Sequence, residues 1–264
     1  MRIDERAHNF KTARALYISI NSKKEMKRFL ILLLALMPLF AMAQRVPDNE
    51  AILARTIDNS SPYYYPRLME RYIHGDTTLT ADEYHHLYYG FAFADNYRPL
   101  ENDPARIDVL EVFVATETPD STQLLRVIEA AERLMHSDPF SPQNLNILTF
   151  AYGKLGDERM ERICYDRFTK VMQTIESSGT GRREDSPWHV LTFQHAADFT
   201  AWRGGEINNR QVRSRSVEYI QLRVKDADGN RGYFFDFSRV YMKRPEYEKP
   251  KEERKWKLND MPLN

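Results

Sequence analysis

The spacing of the apolar residues changes near Ser177, and that change limits the folds open to this chain. Ahead of it they recur every three or four positions, as on a helix with one buried face. Beyond it they come in short runs rich in Val, Ile, Tyr and Phe, which favour strands. Helices grouped ahead of strands read as an α+β protein: a helical N-terminal lobe and a small antiparallel β-sheet at the C-terminus.

Local signals place the helices. Ser61-Pro62 opens a helical stretch from Tyr63 to His74, with Tyr65, Leu68, Met69 and Tyr72 on one face and Gly75-Asp76 at its end. Thr80 and Glu83 have the spacing of a capping box, and Leu79 and Tyr84 that of a hydrophobic staple. Tyr84, Leu87, Tyr88 and Phe91 then line the buried face. Asn96 to Pro104 reads as loop, while Ile107 to Val114 suits a short helix or a strand equally. Pro119-Asp120-Ser121 opens a helix with Leu124, Leu125, Ile128, Ala131, Leu134 and Met135 as its apolar face, broken at Asp138-Pro139. Two further helices, Pro142 to Leu155 and Asp157 to Glu176, hinge at Gly156.

Ser177 to Gly181 reads as a flexible break. Trp188 to Phe193 and most of Val212 to Val224 read as strands, and Tyr233 to Phe237 as a returning strand after a turn at Asp228-Gly229. A calcium loop at Asp226 to Asn230 is excluded: its glycine comes too early and no Glu closes it.

The N-terminus carries an address. Lys27-Arg28, the apolar run Phe29 to Phe40 and Ala41-Met42-Ala43 form the three zones of a secretory signal peptide, with cleavage between Ala43 and Gln44. The run is too short for a permanent span, which takes about 20 apolar residues. Met26 then reads as the true start, with 1–25 an extension outside the natural product. The expected organisation is 1–25 extension, 26–43 signal, 44–176 helical lobe, 177–187 linker, 188–242 sheet lobe and 243–264 charged mobile tail. Of the 38 basic and 38 acidic side chains, eight and three precede Gln44, leaving the remainder with a net charge of −5. An acidic body without a basic stripe argues against nucleic-acid binding. Cys164 is the only cysteine, so no intramolecular disulfide forms, and none follows Ala43 for lipid attachment. Its helical setting makes it a small buried apolar residue.

Two resemblances add to this reading. Leu148, Ala151, Tyr152, Lys154, Gly156 and Asp157, after Asp138-Pro139, resemble one tetratricopeptide hairpin. Met160 and Glu161 depart from that pattern where a small residue is expected, which implies one or two degenerate hairpins instead of a long array. SPYYYPRLMERY (Ser61 to Tyr72), GDTTLTADEYHHLYYGFAF (Gly75 to Phe93), and SSGTG followed by Trp188-His189-Val190 resemble an uncharacterised family of exported Bacteroidetes proteins, domain of unknown function 4919. That resemblance implies an envelope setting and transfers no catalytic residue.

Three features invite chemistry. His85 and His86, one turn after Asp82 and Glu83, offer metal-ligand types, but adjacent positions point about 100° apart on a helix and no third ligand has a recognisable spacing. No metal and no cofactor is expected. The glycine segment with Arg182 and Arg183, ahead of Trp188 and His189, has the groups to hold an anion. Among the many tyrosines, Tyr64 and Tyr89 lie off the buried faces and are expected to be exposed for a ligand. The functional expectation is an exported, non-catalytic protein that binds a protein or small molecule in the cell envelope, with no stable membrane span after cleavage. The alternative is an exported hydrolase using Gly179 to His189, with Ser186 as nucleophile and His189 as base.

Overall fold

A computed structural model describes residues 44–101, 109, 111–112 and 119–242. The expected signal at 26–43, the extension at 1–25 and the tail at 243–264 lie outside the described residues, as does most of Ile107 to Val114, of which Val109, Glu111 and Val112 are helical.

Caps written in the sequence start the helices. Asp48 accepts from the backbone N–H groups of Glu50 (3.0 Å) and Ala51 (3.1 Å) and opens α1, Asn49–Ile57. Helix α2 is Tyr65–Ile73. The capping box forms at α3, Ala81–Gly90: Glu83 N–H donates to Thr80 Oγ1 (3.2 Å) and Thr80 N–H to Glu83 Oε2 (2.7 Å). A second box, Asp120 with Gln123, starts α4, Ser121–Ser137. Within α4, Leu124, Val127, Ile128, Ala130 and Ala131 are buried, whereas Leu125, expected on that face, is 59% exposed. Ser141 caps α5, Pro142–Leu155, and Asp157 caps α6, Glu158–Ser177. Between them Gly156 adopts φ +79°, the left-handed conformation that ends a helix at no steric cost to glycine.

The C-terminal half is richer than its sequence pattern. Strand β1 is only Trp188–His189, because Thr192 accepts from His195 N–H (3.1 Å) and starts a helix, α7, Phe193–Trp202. Strand β2 is Ile207–Val212, β3 is Val217–Leu222, β4 is Gly232–Asp236, and a short α8 covers Ser238–Met242. Val212 therefore ends one strand instead of beginning the next. The sheet order is β1-β4-β3-β2. Strands β2, β3 and β4 pair antiparallel, but β1 lies parallel to β4, with Trp188 opposite Phe235. The sheet is mixed, not purely antiparallel, because β1 reaches β4 by a long crossover through α7 and the other strands.

These elements from Gln44 onward make one compact unit. One hydrophobic core joins α1 to α3 and the end of α6 to the sheet, through Leu68, Tyr88, Val171, Ile220, Phe235 and Phe237. A smaller core lies among α4, α5 and α6 and includes Cys164, whose thiol burial pushes up to about 11. The segment read as a linker threads between helices and sheet. Gly181 C=O accepts from Phe234 N–H (2.7 Å), Gly179 C=O from Trp188 Nε1–H (3.1 Å), and the N–H groups of Thr180 and Gly181 donate to Ser186 C=O. Among the described residues no helix is long and apolar enough to cross a membrane.

Candidate functional site

A groove of about 580 Å³ opens where the end of α4, the start of α5 and the turn into α7 meet, with Tyr97, Arg98, Leu134, Asp138, Asn144 and Phe193 in its wall. Its size is that of a small-molecule site, and its wall mixes apolar residues with polar and charged ones. The elements that shape it are tied together: the carboxylate of Asp198 on α7 accepts from Gln143 N–H (3.1 Å) on α5 and from Gln194 Nε2–H (2.6 Å).

Asp138 ends α4, and Pro139 after it prevents another turn. Its Oδ1 accepts from Phe140 N–H at 3.3 Å and its Oδ2 faces His195 Nε2 at 3.0 Å. His195 is completely buried, and its Nδ1 lies 2.8 Å from the hydroxyl of Tyr88, also completely buried. Leu191 N–H donates to that hydroxyl at 3.4 Å. The directions are consistent with one assignment: Leu191 N–H to Tyr88, Tyr88 O–H to His195 Nδ1, and His195 Nε2–H to Asp138. Burial, with a neighbouring Tyr89, raises the Tyr88 hydroxyl well above its ordinary value, so it stays protonated and donates. These hydrogen bonds orient one carboxylate in the groove wall.

Asn144 supplies a second acceptor. Its Nδ2–H donates to Ala131 C=O at 2.8 Å, which sets the amide orientation, and its buried Oδ1 has no hydrogen-bond partner. Such an orphan costs about 1–3 kcal/mol unless a water or ligand completes it. Arg98 is occupied by the carbonyls of Asp95 and Tyr97 and by Glu101 at 3.6 Å. The groove thus offers acceptors to a ligand rich in donors.

None of the candidate site residues Tyr64, Tyr89, Arg182, Arg183, Trp188 and His189 lines this groove. Tyr89 is fully buried, not exposed, because α3 is covered on several sides and has no free face; its hydroxyl donates to His189 C=O (3.1 Å) and Arg239 stacks on its ring at 4.7 Å. Tyr64 is half-buried, with Arg67 5.8 Å from its ring centre. Arg182 is paired with Asp228 at 3.0 Å and Arg183 with Asp185. Trp188 is buried against Phe199 and Tyr233, which removes it from any ligand surface. His189 donates its backbone N–H to Ser178 Oγ (2.8 Å), and its Nδ1 stands 3.6 Å from Asp236 Oδ1. Ser186 Oγ donates instead to Gln44 Oε1 at 3.1 Å, so the two residues of the hydrolase alternative sit in separate networks. Ala43 lies outside the described residues. His86 stacks on Tyr63 at 3.8 Å, and among the described residues no group of three or more His, Cys, Asp and Glu is placed to hold a metal ion.

The residues missed were Tyr88, Asp138, Asn144 and His195. A local signal existed for one of them: Thr192, three residues before His195, has the spacing of an N-cap followed by Ala196, Phe199 and Thr200 at helical intervals.

The fold is a mixed α+β protein with a groove that has the Asp138 carboxylate and the Asn144 side chain in its wall. The chain belongs to the family described as Domain of unknown function (DUF4919), whose model matches residues 50–246. No curated protein and no solved structure matches the chain.

Proposed function

We propose that this is a non-catalytic binding protein whose groove takes a compact molecule, or a peptide end, carrying hydrogen-bond donors. The observation that carries the reading is the Asp138 carboxylate, held in the groove wall by completely buried His195 and Tyr88, with the orphan Oδ1 of Asn144 in the same wall. A buried relay that orients a carboxylate without a nucleophile suits recognition better than turnover.

The setting of that binding is the cell envelope of a Bacteroidetes cell, reached by a signal peptide cut after Ala43. Support comes from the three zones of Met26 to Gln44 and from the compact unit that starts at Gln44. Helices α5 and α6 form the tetratricopeptide-like element. Their close approach is at Gly153, where an added Cβ would meet Glu161 Oε1 at 2.9 Å, so the small residue sits on the first helix of the pair.

The test is a thermal-shift panel of amines, amino sugars and sugars against the protein and its Asp138→Asn variant. Stabilisation by donor-rich compounds that the variant loses is the expected result. A panel without effect, or stabilisation indifferent to Asp138, would sink the groove assignment. Turnover of ester, glycoside or phosphate substrates would replace binding by catalysis. Sequencing the mature N-terminus checks export separately, with Gln44 as the expected first residue.

A further inference from the structure

A second cavity, of about 400 Å³, lies among α2, α4, α5 and α6; it shares no lining residue with the first groove and takes Met135, His136 and Pro139 where that groove takes Leu134, Ser137 and Asp138. Its wall is apolar and adaptable: Met69, Met135 and Met160 are three of the five methionines among the described residues, joined by Leu148. Methionine suits such a surface because its unbranched, polarizable side chain refits to different apolar shapes.

Two buried donors in that wall have no acceptor. The hydroxyl of Tyr65 has no hydrogen-bond partner, and neither does Nε of Arg167. Arg167 spends Nη2 on the carbonyls of Tyr72 and Ile73 at the end of α2, and its guanidinium lies 4.5 Å from the centre of the Tyr72 ring. Among the described residues of the wall the one carboxylate, Glu132, is engaged by the hydroxyl of Tyr152 at 2.8 Å. Burial also raises the Tyr65 hydroxyl far above its ordinary value, so it remains a donor. A neutral donor, a fixed cation and a methionine-lined apolar wall are together the complement of an aliphatic chain with an anionic acceptor at one end.

We infer that this cavity is a binding site for a medium-chain fatty acid, its carboxylate accepting from Arg167 and Tyr65 and its alkyl chain lying against Met69, Met135 and Met160. The site is independent of the acceptor-lined groove and calls for the opposite ligand chemistry.

Titration calorimetry of protein expressed from the full chain, with decanoate, decanol and decylammonium as probes, tests it. Decanoate is expected to bind at least tenfold more tightly than decanol, and decylammonium not measurably. Arg167→Met should weaken decanoate roughly ten- to a hundredfold and leave decanol unchanged, in line with a hydrogen bond to a charged group. Tyr65→Phe keeps the ring and should weaken decanoate several-fold, with the melting temperature checked in parallel so that a folding defect is recognised. Asp138→Asn should leave decanoate affinity unchanged. Equal binding of acid and alcohol, no binding of either, indifference to both wall substitutions in folded protein, or loss of decanoate in Asp138→Asn would each overturn the assignment.

Discussion

Gly181 shows what a single residue contributes here. It adopts φ +63°, and a Cβ on it would come within 2.4 Å of Trp188 Cε3. Gly181→Ala should therefore cost about 2–4 kcal/mol in chemical denaturation, from the left-handed backbone together with overpacking. A glycine pair that suggests an anion loop in the sequence is required by packing: at Gly179 the added Cβ would fall 2.0 Å from Pro187 C=O. Tyr88→Phe tests the relay. It leaves His195 Nδ1 buried and without its donor, and should cost about 1–3 kcal/mol. Residual stability indistinguishable from the parent would mean that the hydroxyl does not hold His195.

At the scale of elements, the strongest local signals were legible. The Thr80 and Glu83 box is formed as spaced, so Thr80→Ala should cost about 1 kcal/mol, read as a lower denaturant midpoint at unchanged slope. Glu83 also pairs with Arg71, so loss of the cap leaves that carboxylate anchored and limits the damage to one end of α3. Helix α7 was not legible in the same way, since Trp188 to Phe193 looks like a strand until Thr192 is recognised as a cap. Strand β2 reads INNRQV and is mostly exposed, so it has almost no apolar pattern of its own. It exists because β3 offers it an edge, with Arg210 opposite Ile220 and its guanidinium bonded to Glu218 at 2.8 Å.

For the whole molecule, titration couples these pieces to pH. Burial, aided by His86 and Arg239, lowers His85 to about 4, so the unfolded chain takes up a proton near pH 6.5 that the native state refuses. Stability should fall as pH drops from about 6.5 to 4, by at most on the order of 3 kcal/mol from this group. Asp76, bonded by Thr78 and Arg71, is held at about 2. Burial alone would raise Asp226, but hydrogen bonds from Asn230 and Tyr233 bring it to about 2. Their contributions are intact above about pH 4 and are lost as pH falls through 2. Denaturant midpoints measured from pH 8 to 2 should show both declines, and His85→Phe should flatten the upper one. A flat parent profile between pH 6.5 and 4 would contradict the buried neutral state of His85.

The sequence by itself determined the elements whose signals lie within one turn of the chain: the helices capped by Thr80 and Asp120, the hinge at Gly156, the turn at Gly229 and the passage from helix to strand. Those features depend on backbone donors, positive φ and periodicity, which neighbours three or four residues apart already specify. Tertiary structure alone decided that α3 is buried around Tyr89 and that β1 runs parallel to β4. It also brought Tyr88 to His195 across 107 residues and His195 to Asp138 across 57. Contacts at such separations follow from how apolar faces stack in three dimensions, and no spacing along the chain encodes which polar groups that stacking will enclose.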